Sequence, residues 1–246
     1  MEQEVDKSKI LYSIFHNDSQ ISFEVTDEVL LIANFLGNHP QILRSIYKAY
    51  RKLDSEFTYK PKIGATIHVE FDYGKERSVT FSRQQIKLRF LEADFLIFMA
   101  KIDAIYTEIL PVGSIVELDE EMLPAAIKNQ LEYSGVSELV VITGRKLPLQ
   151  APFDKYIVDY YAYVWPIGQL PATRPMFISN MMIKRVVHQG LSHPLDETFS
   201  LDVLRATQLA KEQISTAYMP SKDGLAYYKH YAKDLFGIDL LEKEVK

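Results

Sequence analysis

The chain contains no cysteine among its 246 residues. That excludes disulfides, thiolate nucleophiles, zinc ribbons and iron–sulfur clusters together. It also fits a reducing cytosol. Long hydrophobic runs are missing too. The longest, Val29–Ala33 and Phe95–Ala100, fall well short of the roughly 20 apolar residues that cross a bilayer. The opening stretch, Met1-Glu2-Gln3-Glu4-Val5-Asp6-Lys7, has neither the basic head nor the apolar run of a signal peptide. A cytoplasmic protein with no membrane insertion is therefore expected. There is no basic excess: 28 Lys and Arg against 33 Asp and Glu leave a formal charge of -5. Nucleic-acid binding needs clustered cations, so this balance argues against it. Glycine is sparse. Gly64 and Gly74 stand alone, no Gly-Lys-Ser/Thr phosphate loop occurs, and no serine sits in a Gly-x-Ser-x-Gly elbow.

What is present is ordinary globular material, 47% hydrophobic and 25% charged. The residues before Lys9 are polar and are expected to fray. Ile10–Phe15 has strand composition, His16–Ser19 is a turn cluster, and Gln20–Val25 alternates with period two, so a hairpin is expected. Thr26 or Asp27 caps a short helix through Leu36 that Gly37 stops. Pro40 opens a second helix. Its apolar side carries Ile42, Leu43, Ile46, Tyr47, Tyr50 and Leu53, with Arg44, Lys48, Arg51 and Lys52 opposite. In Ala65–Tyr73 and Ser78–Ser82 strict alternation around Gly74-Lys75-Glu76 predicts an antiparallel hairpin. Leu91–Ile109 reads as a strongly apolar helix.

Composition shifts at Leu110-Pro111. Short strands are expected at Ser114–Leu118, at Leu139–Thr143 (ended by Gly144-Arg145), at Lys155–Trp165 (closed by Pro166-Ile167-Gly168), at Met176–Ile178 and at Val186-Val187. Asn180 caps a turn of helix. Glu120–Ser137 looks helical, with Asp119-Glu120-Glu121 placed to offset a helix dipole. Asp202–Ala217 and Lys222–Phe236 read as helices parted by Pro220. The fold class is thus α+β. The division is an N-terminal lobe, residues 1–108, with antiparallel hairpins and helices, and a second lobe, residues 109–246. The second is a small curled antiparallel sheet or partial barrel with C-terminal helices.

Candidate chemistry is thin. His188 and His193, with Asp196 or Glu197, could bind a metal only if a turn brought them together; a capped surface turn explains them more simply. His68, Glu70 and Asp72 share one strand face, as a solvated sheet face often does. Arg83, Lys87 and Arg89 suit a solvated strand edge, and Arg145 an internal ion pair with Asp154 or Asp159. No catalytic, cofactor or metal site is assembled, and the protein is not expected to be an enzyme. The aromatic group Tyr156, Tyr160, Tyr161, Tyr163 and Trp165 is richer. Strand alternation puts Tyr161, Tyr163 and Trp165 on one face, and Tyr160 and Val164 on the other. Most of these rings suit a core, while one or two suit a protein interface.

The order of motifs between about Ile109 and Phe199 resembles a family. It comprises Leu110-Pro111-Val112-Gly113-Ser114-Ile115-Val116, Leu139–Arg145, Phe153-Asp154, Asp159-Tyr160, Trp165-Pro166-Ile167-Gly168, Phe177–Asn180 and Ile183–Gly190. The family is an uncharacterised bacterial domain of type VII secretion gene clusters in Gram-positive bacteria, found beside LXG-type toxins. Two departures stand out: the Glu120–Ser137 insertion, and Trp165 where a smaller aromatic is common. The resemblance implies a cytoplasmic accessory factor or chaperone that binds an LXG effector and supports its export. An immunity protein that neutralises a cognate toxin is the alternative. On either reading the partner is a protein, and Tyr161, Tyr163 and Trp165 are the partner-binding candidates.

Overall fold

The computed structural model of the protein describes residues 6–123, 128–129, 131, 138–171 and 174–236. It opens with three helices, α1 (Lys7–Asn17), α2 (Asp27–Gly37) and α3 (Pro40–Arg51). The strand expected at Ile10–Phe15 is instead α1, and it starts at Lys7, inside the stretch expected to fray. Asp6 caps it by accepting from the amides of Ser8 and Lys9 at 3.1 and 3.4 Å. Leu11 and Phe15 recur at helical spacing and are buried together, so periodicity outweighs the β-branched composition. The second half of the expected hairpin, Gln20–Val25, is a turn and irregular chain with no strand partner among the described residues. Its alternation serves packing: Phe23 meets Phe15, Phe90 and Phe98 edge-on. Thr26 caps α2, and Pro40 occupies the first turn of α3.

A four-stranded antiparallel meander follows, β1 (Glu56–Tyr59), β2 (Ile67–Asp72), β3 (Ser78–Arg83) and β4 (Ile86–Leu91), in that spatial order. Val69 pairs with Phe81 and Phe71 with Val79, which buries the expected apolar face. Lys87 and Arg89 lie on the edge strand β4. Helix α4 (Glu92–Tyr106) then runs through the centre of the molecule, buried from Phe95 on along nearly its whole circumference. A helix buried all round must satisfy every charge it carries. Lys101 does so through an ion pair with Asp18 and the Glu212 carbonyl at 3.1 Å.

The second sheet contains β5 (Ile115–Leu118), β6 (Leu139–Pro148), β7 (Tyr156–Val164), β8 (Met176–Ile178), β9 (Ile183–His188) and β10 (Ile214–Ser215). Its order is β10-β7-β6-β5-β9, with β8 also on β7. The sheet is open and does not close into a barrel. All pairs are antiparallel except β10 with β7. Gly144 does not end β6. A register shift between Ile142 and Gly144 leaves Thr143 as a bulge, Gly144 pairs with Tyr161, and the strand runs on to Pro148 with Lys146 in the left-handed region, φ 49. Most of the segment expected to be helical at Glu120–Ser137 lies outside the described residues; its start is a 3-10 turn, Glu120–Met122. Gly190 admits no side chain. A Cβ there would run into the Val112 carbonyl, while its amide donates to Ser114 Oγ at 2.9 Å.

The helical tail also differs from expectation. A helix starts earlier, as α5 (Pro194–Thr198). It passes through a π-helical stretch, Phe199–Arg205, and ends as α6 (Ala206–Ala210). Ile214 and Ser215 then form β10 beside Tyr156 and Ile157. Helix α7 (Ser221–Phe236) closes the described chain. The larger core unites Leu11 through Tyr106 with Tyr156, Met181, Ile214 and Tyr218, so the first three helices and the meander share one interior with β7 and β10. A smaller core under the second sheet gathers Val116, Leu118, Val140, Ile142, Tyr160 and Ala162. Among the described residues, no helix is long and apolar enough to cross a membrane.

Candidate functional site

Strand alternation divides the second sheet sharply. Tyr160 and Ala162 face the smaller core. Tyr161 and Tyr163 take the other face and are half-buried, and Trp165 just beyond the strand is 41% exposed. Neighbouring strands add apolar side chains to the same face. Tyr163 lies opposite Val141, Val141 opposite Ile115, and Tyr161 opposite Phe177. The Tyr161 and Phe177 rings stack with centroids 4.8 Å apart. The result is a half-exposed row of aromatic and branched side chains crossing four strands. The remaining aromatics of β7 are structural. Tyr156 donates to Asp223 at 2.6 Å, and the Tyr160 hydroxyl accepts from the Leu110 amide at 3.1 Å. Burial pushes the Tyr160 phenol far above its usual range.

The other singled-out residues disperse. His68 Nδ1 meets Thr58 Oγ1 at 2.8 Å, and its Nε2 lies 3.7 and 3.8 Å from Glu70 and Glu56. Asp72 turns away to accept from the Gly74 amide. His193 caps α5 by accepting from the Leu195 amide at 3.1 Å, while His188 ends the exposed strand β9. Among the described residues, no three His, Asp or Glu side chains are placed to hold a metal ion. The acidic run straps the second sheet to α3. Asp119 accepts from Arg44 at 2.7 Å and Lys48 at 2.9 Å, and Glu121 pairs with Lys48 and Lys52. Burial alone would raise the Asp119 carboxyl, but these cations hold it below the usual carboxylate range.

Arg145 pairs with neither Asp154 nor Asp159. Its guanidinium grips Asp196 through two bonds of 2.7 and 3.2 Å and Ser200 at 2.9 Å, fastening α5 to β6. The bulge at Thr143 explains this, because it re-aims the side chains that follow. Arg145→Ala is expected to lower stability by about 2 kcal/mol, the scale of a charged hydrogen bond lost. It should also raise hydrogen exchange across residues 194–205 before any other segment. Uniform protection would show that α5 is held some other way.

Asp159 belongs to a network that the sequence reading missed. Its carboxylate, fully buried, takes Lys146 Nζ at 2.8 Å, the Asn180 amide at 3.1 Å and Ser215 Oγ at 2.5 Å. Asn180 Nδ2 bridges to both oxygens of Asp103 on α4 at 3.3 Å, and Thr107 Oγ1 reaches Asp103 at 2.6 Å. Burial, with the charge of Asp159 close by, raises the Asp103 carboxyl to about 6. The available signal was Asp103 itself, an ionisable residue in the middle of an apolar helix.

The molecule is thus a two-sheet α+β protein with an aromatic outer face and polar groups used mainly to join its parts. Residues 109–199, from just before β5 to Phe199, match the model of a family described as a domain of unknown function, DUF4176. No curated protein and no solved structure matches the chain.

Proposed function

We propose that this protein is an accessory factor or chaperone that binds an LXG-type effector and supports its export by a type VII secretion system. It works by gripping a second polypeptide, with no bond made or broken. The observation that carries protein binding is the outer face of the second sheet, where Tyr163 and Trp165 extend a row formed by Ile115, Val141, Tyr161 and Phe177. Tyr and Trp give large contact areas at low entropic cost and dominate binding hot spots. The motif order of residues 109–199 supports the secretion context.

The test is co-purification of the tagged full-length chain with an LXG protein encoded beside it. Tyr163→Ala with Trp165→Ala is expected to weaken capture by at least about tenfold without altering the melting temperature, since both rings are partly exposed. Deleting the gene should silence effector export. Death of the producing cells instead would identify an immunity protein. Export unchanged with no effector recovered would remove both readings.

A further inference from the structure

A cleft of about 1040 Å³ opens between the start of α1, the end of α4 and the wall made by α5 and the π-helical stretch. Its acidic groups fall into two sets. Asp6 and Asp196 are already matched, by Lys9 at 3.4 Å and by Arg145. Glu108, Glu197 and Asp202 line the same cleft with no cation at ion-pair distance among the described residues. Glu108 and Glu197 accept only from the neutral groups Gln189 Nε2 at 3.1 Å and Ser192 Oγ at 2.9 Å. Lys7, which also lines the cleft, donates to the Tyr106 carbonyl at 3.1 Å.

Arg205 is the converse case. It lines the cleft yet is only 6% exposed. Its Nη2 donates to the Thr107 carbonyl, and among the described residues its Nε has no acceptor and no carboxylate stands within ion-pair distance of it. It closes the π-helical stretch, whose wider turn changes the register of the helix wall at that point. A buried guanidinium is normally matched by a carboxylate, and its planar fork fits one in two-point fashion. The cleft is therefore lined by a cation without an ion pair among the described residues and by three carboxylates without one, the charges of Glu108 and Asp103 acting on Arg205 only from beyond contact distance.

We propose that this cleft receives the free C-terminus of a polypeptide ending in a segment with Lys or Arg. The terminal carboxylate binds Arg205, and the basic side chains meet Glu108, Glu197 and Asp202. A peptide terminus of this kind satisfies both halves of the pattern at once. The inference rests on the protein-binding reading above, but it uses a different surface from the aromatic sheet face.

The test uses the full-length protein and a short fluorescent peptide with two lysines just before a free carboxyl end. Two controls are the same peptide as its C-terminal amide and one with glutamates in place of lysines. The free acid is expected to bind at least about tenfold more tightly than either control, and to weaken as salt rises. Glu197→Gln with Asp202→Asn should reduce its affinity about tenfold. Both side chains are exposed, so folding should be unaffected. Arg205→Lys, checked by its melting curve, should erase the preference for acid over amide. Equal binding of acid and amide, indifference to the rim substitutions, or equal competition by free lysine would each overturn the proposal. Effector capture that persists while the peptide fails would count against the cleft alone. Peptide binding without effector capture would count against the secretion role alone.

Discussion

Asp159→Ala is expected to lower the stability of the protein by about 3–5 kcal/mol. The Asp159 carboxylate has no solvent exposure, and the Lys146 side chain opposite retains only 5%. Removing the acid strands an ammonium in the interior and leaves the Asn180 amide and the Ser215 hydroxyl without an acceptor. Such half-broken pairs are far more damaging than pairs never built, because desolvation is no longer offset. Lys146 adds a second burden. It holds a left-handed backbone conformation, which disfavours a non-glycine residue by on the order of 1 kcal/mol and is sustained by what the side chain reaches. Urea denaturation reads the loss directly as a fall in midpoint at unchanged slope. Asp159→Asn keeps an acceptor for Ser215 and Asn180 but carries no charge, so its loss relative to the unchanged protein isolates the charge opposite Lys146, and the gap between the two variants isolates the acceptor. A change below about 1 kcal/mol in Asp159→Ala would mean that Lys146 escapes to water when its partner is gone.

Asp103→Asn is expected to act in the opposite direction, raising stability at pH 7–8 by on the order of 2–3 kcal/mol. Burial and the neighbouring Asp159 charge raise the Asp103 carboxyl to about 6 from 3.8. Between those values the folded chain holds a proton that the unfolded chain has released. Stability from this group therefore falls as pH rises from about 4 to about 6, and the penalty is complete above that. Asparagine carries no such charge and still accepts from Thr107 and Asn180. The variant should lose that part of the pH profile and gain at neutral pH. A profile that keeps its slope between pH 4 and 6 would assign the titration to another group. Asp103 and Asp159 share Asn180, so the two substitutions should not be additive, and a double-mutant cycle would measure their coupling.

The elements that could be read from sequence are those whose pattern is local. The β2–β3 hairpin follows from strict alternation across Gly74-Lys75-Glu76, and α2 and α3 from Thr26, Gly37 and Pro40. The apolar length of α4 was visible, and so were the cores of β5 to β9. Where reading failed, long-range pairing decided the outcome. Ile214 and Ser215 become β10 only because Tyr156 and Ile157 offer a free edge. Arg145 finds Asp196 because a bulge redirects it, and no count along the chain contains that information. The misreading of α1 is different. Leu11 and Phe15 stand at helical spacing, a local signal that outweighs the strand-like composition of Ile10–Phe15. Of the candidate site, alternation separated Tyr161 and Tyr163 from Tyr160 in advance. Their neighbours Ile115, Val141 and Phe177 come from strands whose register no local pattern sets.

The buried carboxylate of β7 also bears on how the chain can be divided. Lys146, Asp159 and Asn180 lie within residues 109–199, but Ser215 and Asp103 lie outside, and so do most of the side chains that enclose Tyr156. Scissors applied at the two ends of that stretch would open a wet hole beside Asp159 and bare an aromatic flank. The piece able to stand alone is wider than the piece that carries the family pattern, and a truncation meant to isolate it has to keep α4 and β10.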